Sequence, residues 1–489
     1  MKKNNFLKLI GLLFLVTLFS CSKSEKRPPN VIIIFTDDQG YSDVGAYGAE
    51  GFKTPHLDAM ASEGIKFNDF YVGSSVCSPS RAALLTGCYP QRVGIPSVLF
   101  PERVNTVWNP KERRTKTGIH SDETTIAEML KENGYATGAF GKWHLGHHKQ
   151  FMPLQQGFDE YVGLPYSNDM RPNKNKVNKK GKTSYPPLPL INGNDVERYM
   201  DDDQSMLTSI YTERAVDFIK RNKDNPFFIY LPHSMPHIPL YASKKFEGHS
   251  EKGIYGDVIE EIDWSVGQIN KTLKKLDLEE NTLVIFTCDN GPWLIFGEHG
   301  GSANPLREGK FTTFEGGQRV PCIMKWPAEI PEGIETSEIA STLDLLPTIA
   351  NITGSKLPVN KIDGHNIIEL INGKMDAKSP TEDFFFYKGW DLEAIRHGKW
   401  KLHLPHGYTQ VVKSEDGNDQ GLKKLKSEIE LSLFNLDIDV SESTNVAEQH
   451  PEIIKMLLEK VETMKEDLGD DEKSGSGKRP SGWQINPNS

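Results

Sequence analysis

This chain has few cysteines and no excess of positive charge, and each of these features excludes a class of protein. Five cysteines among 489 residues are too few for a scaffold built on disulfides. Once Cys21 and Cys77 are set aside for the roles below, Cys88, Cys288 and Cys322 can form at most one disulfide, and the last two lie in apolar runs typical of buried thiols. The net charge of -10 argues against a nucleic-acid partner and against a general polyanion-binding surface. An anionic substrate would therefore need a local cluster of arginine, lysine and metal.

The first residues have the pattern of an export signal. A basic start is followed by an apolar run over residues 9–19, which is too short to span a bilayer. Residues 18–21, Leu-Phe-Ser-Cys, match a bacterial lipobox, in which Cys21 becomes the lipidated first residue. Phe19 is bulkier than the usual residue at its place, so plain secretion is the alternative. We expect an exported protein, in the periplasm or on the cell surface, attached to the membrane through a lipid on Cys21. The expected segments are a signal peptide over residues 1–20 and a polar tether over residues 21–29.

Short apolar runs alternate with helical patterns through most of the chain. Residues 30–35 and 282–287 are continuous apolar runs, which are typical of strands buried on both faces of a parallel sheet. Residues 258–276 carry apolar side chains at helical spacing. This alternation predicts an α/β domain with a large, mostly parallel central sheet flanked by helices.

A second unit begins near residue 381. Residues 384–387, 393–397 and 399–403 are predicted to form short antiparallel strands, and residues 451–468 a closing helix. We therefore expect a small C-terminal α+β domain with an antiparallel sheet. The predicted organisation is a main domain over residues 30–375, a C-terminal domain over residues 380–468 and a disordered tail over residues 469–489. Exposed loops are expected over residues 94–117, 174–189 and 413–426.

Two pairs of polar residues directly follow buried strands. Asp37 and Asp38 end the first apolar run, and Asp289 and Asn290 follow the second. Ligands gather at the carboxyl ends of strands in open α/β sheets, and adjacent carboxylates repel each other unless a cation joins them. Three carboxylates and an amide form an all-oxygen site, which suits Ca2+ better than Mg2+ because the ligands come from distant, irregular loops. Taken alone, each pair could also be a surface turn.

The stretch Cys77-Ser78-Pro79-Ser80-Arg81 is predicted to begin a helix. Pro79 suits a first turn, since its missing N–H is not needed there, and Ser78 or Ser80 can cap the free amides. A helix N-terminus carries partial positive charge and spare donors, so it suits an anion such as sulfate. Arg81 adds a fixed cation at the same place. Without further support, Cys77 could be a buried small hydrophobe and Arg81 half of a surface ion pair.

A second candidate segment, Gly-Lys-Trp-His-Leu-Gly, follows the strand predicted over residues 135–140. Its Lys142 and His144 are two residues apart, so on an extended chain both side chains point to the same side. The lysine is a permanent cation, whereas the histidine can titrate near neutral pH. Each alone could be an ordinary surface residue.

Together these segments resemble the type I sulfatases. The similarity is carried by residues 77–87 (C-S-P-S-R-A-A-L-L-T-G), by G-K-W-H-L-G, by the Asp-Asp and Asp-Asn pairs, and by the segments around His237 and Lys310. The motifs occur in the family's order, and the resemblance extends over residues 30–468. The loop at residues 156–169 resembles that of the arylsulfatase A and N-acetylgalactosamine-6-sulfatase group. The resemblance implies an alkaline-phosphatase-like fold with a small C-terminal sheet.

The resemblance also implies a role for each matching residue. Cys77 would be oxidised by a maturation enzyme to formylglycine (3-oxoalanine), whose hydrate is the nucleophile. His144 would take a proton from that hydrate, and His237, which precedes x-Pro as in the family, would help to protonate the leaving oxygen. The sulfate group would be bound by Arg81, Lys142, Ser167 and Lys310. The calcium ion would be held by Asp37, Asp38, Cys77, Asp289 and Asn290. The sugar hydroxyls would be bound by Asn168 and Asp169, unless these two only shape a turn.

The implied reaction is hydrolysis of sulfate esters on sulfated carbohydrates. We expect exo action at a chain end, on a galactose- or N-acetylgalactosamine-type sugar sulfated at O6. One alternative is a phosphatase or phosphodiesterase of the alkaline phosphatase superfamily, which would use serine or threonine and two metals. Cys77 and the lack of an evident second ligand set argue against it. The other alternative is a non-catalytic glycan-binding homologue, but every expected catalytic position is filled.

Overall fold

The computed structural model describes residues 27–102, 115–172, 185–417 and 420–483. The predicted signal peptide, Cys21 and most of the predicted tether lie outside these residues. No helix in the described part is long and apolar enough to cross a membrane. The cysteines in these ranges are all buried free thiols, as predicted for Cys288 and Cys322.

A ten-stranded sheet forms the centre of the main domain. In order across the sheet its strands are β12 (Ile334–Thr336), β2 (Ile65–Phe67), β11 (Cys322–Lys325), β10 (Thr282–Cys288), β1 (Asn30–Thr36), β9 (Phe227–Pro232), β5 (Ala136–Phe140), β6 (Glu160–Gly163), β7 (Pro189–Asn192) and β8 (Asp195–Tyr199). The run from β10 to β6 is parallel, and antiparallel pairs flank it on both sides. The predicted large, mostly parallel sheet is thus confirmed.

Helices cover both faces of this sheet. The α-helices of the described residues are α1 (Pro55–Ser62), α2 (Cys77–Thr86), α3 (Ile126–Glu132), α4 (Leu207–Arg221), α5 (Gly253–Lys275), α6 (Glu315–Gln318), α7 (Leu345–Thr353), α8 (Ile368–Ile371) and α9 (Pro451–Leu468). Strand β1 shows why both faces need cover, because all of its residues are buried. Ile33 packs with residues of α2, α3 and α7, whereas Ile32 packs with residues of α4 and α5.

The C-terminal unit is built on a second, antiparallel sheet, as predicted. Its strands are β14 (Asp383–Lys388), β15 (Asp391–His397), β16 (Trp400–His403) and β19 (Ser432–Asn435), and α9 contributes to the same core. A two-stranded hairpin, β17 (His406–Lys413) with β18 (Leu422–Ile429), projects from it. The remaining short strands are β3 (Phe70–Tyr71), β4 (Thr117–Gly118), β13 (Ala340–Ser341) and β20 (Gly482–Trp483).

Buried contacts join the two units. The ring of Tyr71 stacks on Phe384, with their centroids 5.0 Å apart. The Lys401 ammonium, which is inaccessible to solvent, lies 2.9 Å from Glu315 and 3.0 Å from Glu442. Because a buried ion pair cannot exchange its partners for water, these contacts hold the C-terminal sheet at a fixed position beside the main domain.

The prediction of a disordered tail is wrong for residues 469–483. Strand β20 pairs with β4, and the Arg479 guanidinium donates to both carboxylate oxygens of Glu123 at 2.6 and 2.7 Å. The polar composition of this segment does not indicate that it is ordered, because strand pairing and an ion pair can hold a segment in place without a pattern of apolar residues. Residues 484–489 lie outside the described part.

One smaller prediction also needs correction. The loop expected over residues 413–426 is largely the hairpin of β17 and β18, and Lys423, Lys424 and Lys426 leave β18 without the apolar alternation typical of a strand. Residues 418–419 of that loop, and parts of the other two expected loops, lie outside the described part.

Candidate active site

Neighbouring parallel strands deliver polar residues to one edge of the central sheet. Asp37 and Asp38 directly follow strand β1, and Asp289 and Asn290 directly follow the adjacent β10. Backbone bonds fix the register of the two ends, since Asp289 N–H donates to the carbonyl oxygen of Thr36 at 3.1 Å. Asp38 has a φ of 64°, a left-handed conformation that turns the chain sharply behind the strand. The strand ends therefore converge as predicted from the sequence.

Helix α2 points its N-terminus at these carboxylates. Cys77 is its first residue, and its sulfur lies within 4.8 Å of carboxylate oxygens of Asp37 and Asp289. Burial raises the pKa of this thiol, although the charges of Lys142 and Lys310 act in the opposite direction. A buried, protonated thiol is a weak nucleophile, so the unmodified side chain is poorly suited to attack.

Arg81 lies one turn further along α2 and is fully buried. Its Nε and Nη2 donate to Asp289 Oδ2 at 3.1 and 2.7 Å, and Nη1 donates to the carbonyl oxygen of Lys142 at 2.9 Å. Nη2 also lies 3.7 Å from Asp37 Oδ1. These bonds use the planar fork of the guanidinium, so the arginine fixes the spacing between the helix and the strand ends.

Two lysines complete the cationic side of the site. Lys142, which follows β5, forms an ion pair with Asp37 and donates to Ser167 Oγ at 3.2 Å. Lys310 Nζ lies 2.5 Å from Asp38 Oδ1. Burial alone would lower the pKa of each lysine, but the paired aspartates raise both. Both lysines are therefore permanent cations inside the protein.

The carboxylates form a site that a cation fits. Asp37 Oδ1, Asp38 Oδ2 and Asn290 Oδ1 are buried and have no hydrogen-bond donor among the described residues. Burial and the charge of Asp37 raise the pKa of Asp289 to about 7, whereas Lys142 and the other cations hold the pKa of Asp37 below its usual range. Unpartnered buried oxygens and mutual repulsion are both relieved by a hard divalent cation. The residues predicted to bind calcium thus fit that ion.

The two predicted histidines are held by backbone carbonyls. His144 Nε2 lies 2.9 Å from the carbonyl oxygen of Leu99, so this nitrogen carries the proton, and the buried Nδ1 has no partner among the described residues. Burial, followed by the charge of Lys142, lowers the pKa of His144 well below its usual value. His144 is therefore neutral and offers a free basic nitrogen.

His237 lies beside Asp38. Its Nδ1 is 2.6 Å from the carbonyl oxygen of Ile238, which leaves Nε2 at 3.6 Å from Asp38 Oδ2. His233, the other histidine of this segment, instead contacts Ser265 of α5 at 3.2 Å, and burial lowers its pKa to about 3. His237, which precedes x-Pro as in the family, is therefore the histidine that faces the site.

The loop after β6 contributes one residue to the site directly. Ser167 Oγ is bound to Lys142, as described above. Asn168 uses its amide nitrogen to bind Gln204 and two backbone carbonyls, at 3.1 to 3.3 Å, which favours a role in positioning the loop. Asp169 Oδ1 is buried without a partner among the described residues. Sugar binding by Asn168 and Asp169 stays a prediction.

The sequence reasoning missed Trp293. Its ring lies 5.5 Å from that of His237 and 4.7 Å from Lys310 Nζ, so it covers one side of the site. The sequence indicates a role for Trp293 only through its position, three residues after Asn290 and close to the end of a buried strand.

Two family profiles match the chain. One, described as "Sulfatase", matches residues 29–355, and another, described as "C-terminal region of aryl-sulfatase", matches residues 379–485. The chain belongs to the sulfatase family. Human arylsulfatase A is 38% identical over 454 residues, which are 88% of this chain and 86% of that protein. Canine N-acetylgalactosamine-6-sulfatase is 39% identical over 396 residues, which are 77% and 72% of the two chains. The sulfatase resemblance is thus confirmed, and the protein is a sulfuric ester hydrolase.

Solved structures confirm the fold. The PsFucS1 sulfatase from a Pseudoalteromonas species has a TM-score of 0.75 and 28% identity over 90% of this chain and 91% of its own. The Ps i-CgsB structure in complex with k-i-k-neocarrahexaose has a TM-score of 0.72 and 28% identity over 94% and 96%. A phosphonate monoester hydrolase of Agrobacterium radiobacter, at a TM-score of 0.57 and 19% identity, shares only the alkaline-phosphatase-like fold.

Proposed function

We propose that this sulfatase removes sulfate from sulfated carbohydrates through a formylglycine made from Cys77. The observation that carries the proposal is the position of Cys77, at a helix N-terminus within 4.8 Å of two aspartates. The thiol is buried with a raised pKa and is a weak nucleophile, which supports its conversion to another group at this place. A maturation enzyme would replace the thiol by an aldehyde, whose hydrate supplies one hydroxyl for attack on sulfur and a second that lets the sulfated intermediate collapse.

The chain's own cations would bind the sulfate group. Lys142 contacts Ser167 and is paired with Asp37, and Lys310 is paired with the adjacent Asp38, so a sulfate bound beside these carboxylates would meet donors from all three side chains. Their charges stabilise the oxygens on which negative charge increases during the reaction. Arg81 is fully engaged with Asp289 and the Lys142 carbonyl, so it would act mainly by fixing the helix.

The two histidines would move the protons. His237 presents Nε2 to the site, and because its Nδ1–H is donated to the Ile238 carbonyl, it would act as an acid in the doubly protonated form, passing the Nε2 proton to the leaving sugar oxygen. His144 presents an Nδ1 that has no partner among the described residues and can accept the proton of the second hydroxyl. Because backbone carbonyls hold both rings, neither ring has to turn before reaction.

The predicted Ca2+ would be held by Asp37, Asp38, Asp289, Asn290 and position 77, where it would supply positive charge to the sulfate oxygens. Both groups of possible ligands that the described residues form include Asp37, which places this carboxylate at the centre of the proposed metal site.

The substrate proposed is a galactose- or N-acetylgalactosamine-type sugar sulfated at O6, at the end of a chain. The N-acetylgalactosamine-6-sulfatases among the relatives support this choice, as does the loop at residues 156–169. The deep burial of Lys142, Ser167 and His144 supports exo action, because a chain end reaches such a site more easily than an internal unit. We also propose export and lipid attachment through Cys21.

Mass spectrometry of the peptide containing residue 77, combined with activity assays, tests the proposal. We expect the aldehyde at position 77 in active protein, and loss of turnover in Cys77→Ser, because a serine has no second hydroxyl to expel sulfate. Cys88→Ser is the matched control, since Cys88 is another buried thiol just beyond the same helix. An intact thiol in fully active protein, or faster hydrolysis of phosphate than of sulfate esters, would refute the mechanism.

A panel of defined saccharides tests the substrate. We expect release of sulfate from terminal 6-sulfated galactose or N-acetylgalactosamine. Activity confined to internal sulfates of long polymers would contradict exo action, and activity confined to other sugars would contradict the assignment.

A further inference from the structure

A second pocket adjoins the site at Lys310, between the main domain and the hairpin of β17 and β18. Its volume is about 320 Å³. Such a volume is at the lower end of the range of about 300–1,000 Å³ that is usual for ligand pockets. Its lining includes Trp293, Lys310 and Phe311 from the main domain and Thr409, Val411 and Lys424 from the hairpin.

We propose that this pocket binds a neighbouring, anionic sugar unit of the substrate, one that carries a sulfate or carboxylate group. The inference rests on the proposed function and extends it from the terminal sugar to the chain behind it. It implies that the preferred substrate is a polyanionic glycan and that the hairpin takes part in selecting it.

Trp293 connects the pocket with the catalytic residues. Its ring lies 4.7 Å from Lys310 Nζ and 6.0 Å from Lys424 Nζ. One ring thus contacts both a lysine of the active site and a lysine of the C-terminal hairpin. A saccharide whose terminal sulfate is held at Lys310 would extend along this ring to Lys424.

Phe311 supplies an exposed aromatic surface in the same pocket. Its side chain is 37% exposed, and its backbone φ is 74°, a conformation that an aromatic residue adopts only at an energetic cost. Glu308, on the other side of Lys310, also has a positive φ of 58°. Strain of this kind persists where the surroundings enforce it, and it is common at ligand sites. Aromatic rings combine apolar area with rigidity, which suits the apolar face of a sugar.

Lys424 supplies the charge that favours an anion. It is exposed, and no carboxylate of the described residues lies within 4.0 Å of its ammonium group. Lys424 pairs with Val411 and Lys426 with Thr409, so alternate residues of β18 place both lysines on the strand face that lines the pocket. Lys388 also lines the pocket, but it is bound to the Gly407 carbonyl at 3.1 Å.

The hairpin is held firmly enough to form a binding surface. Arg307 donates to the hydroxyl of Tyr408 at 3.0 Å and to the carbonyl oxygen of Glu442 at 2.8 Å. Its guanidinium also lies 4.0 Å from the ring of Phe314. These contacts fix β17 to the loop that carries Lys310, so the two sides of the pocket keep their distance.

A binding measurement on the full chain with Cys77 unmodified tests the inference without turnover. The probe is a chondroitin 6-sulfate hexasaccharide, compared by calorimetry with the same hexasaccharide after desulfation and carboxyl reduction. We expect the charged form to bind more tightly and Lys424→Gln to weaken its binding about fivefold, as for one partly exposed charge pair. Lys423→Gln, the same charge change on the other face of β18, should leave binding unchanged.

An equal loss of affinity in Lys424→Gln and Lys423→Gln would mean a general charge effect and would overturn the inference. The inference would also be overturned if the charged hexasaccharide did not bind, or if the neutral form bound equally well. Release of sulfate from terminal 6-sulfated galactose and N-acetylgalactosamine by the matured protein is measured separately. If that release is absent, the proposed function fails, whereas the binding comparison still decides the role of the pocket.

Discussion

Replacing Lys142 with methionine should destabilise the metal-free protein far more than the calcium-loaded protein. Lys142 and Asp37 form an ion pair in which neither side chain has any exposure to solvent. Methionine fills a similar volume without the charge, so the substitution leaves Asp37 buried beside Asp38 and Asp289 with less positive charge nearby. A calcium ion at the same carboxylates would restore that charge.

The magnitude follows from the burial of the pair. Removing one partner of a buried ion pair costs about 3–5 kcal/mol in the free energy of unfolding. Arg81 stays at 3.7 Å from Asp37, so we expect a loss of about 3 kcal/mol, near the lower limit. Because the freed carboxylate is a better ligand, calcium should bind the variant more tightly and recover most of this loss.

Urea unfolding at pH 7, in EDTA and in excess calcium, measures both quantities. Lys325→Met is the matched control, since Lys325 is also ion-paired, with Glu63 and Glu279, but these partners are partly exposed. Its effect should be about 1 kcal/mol or less and the same with and without calcium. If Lys142→Met were equally destabilising in both media, Asp37 would not be a calcium ligand and the assignment of the site would be wrong.

Three further predictions concern other groups. Burial raises the pKa of Glu393 to about 7 from the usual 4.5. The folded state therefore favours the protonated acid. As the pH rises from the usual pKa of 4.5 to about 7, the free energy of unfolding of the wild type should fall relative to that of Glu393→Gln by at most about 3 kcal/mol. A difference between the two proteins that is independent of pH would contradict this prediction. His237→Asn should lower kcat on an aryl sulfate about 10²- to 10⁴-fold, whereas His233→Asn, behind the site, should stay near wild type; equal losses would remove the distinction between them. Arg479→Ala should lower the free energy of unfolding by about 1 kcal/mol through loss of the Glu123 pair, and an unchanged value would mean that the tail is not anchored.

The strand ends of the site could be predicted because their signals are local. Continuous apolar runs such as residues 30–35 predict buried strands, and the polar residues that follow must lie at the sheet edge. The same logic placed Lys142 after β5 and Asp289 after β10. Helix α2 was predictable from Pro79 in its first turn, but the capping expected from Ser78 or Ser80 is wrong, because the N-cap is Val76 without a side-chain cap and Ser78 Oγ instead accepts from Leu99 N–H. In each case, the side chain and the element that positions it are adjacent in sequence.

The other features depend on contacts between distant segments. The tautomer of His144 depends on the carbonyl of Leu99, 45 residues away. The second pocket needs β18 to approach Trp293, and the lysines of that strand give no apolar alternation to predict it. The anchored tail needs Arg479 to reach Glu123, 356 residues away. Side chains that meet only through the tertiary fold leave no pattern in a single sequence.

The charges of the site explain how a chain with a net charge of -10 can attract an anion. When all three carboxyl groups are ionised, which for Asp289 means above its raised pKa of about 7, Asp37, Asp38 and Asp289 oppose Arg81, Lys142 and Lys310, and the three negative and three positive charges cancel. His144 is neutral because burial lowers its pKa. A sulfate monoester entering such a site would add one uncompensated negative charge in a buried place, which is costly. A divalent cation would reverse the sign to one net positive charge. Calcium would therefore do more than orient the ester, because without it the balanced ion pairs of this site would give the substrate no net attraction.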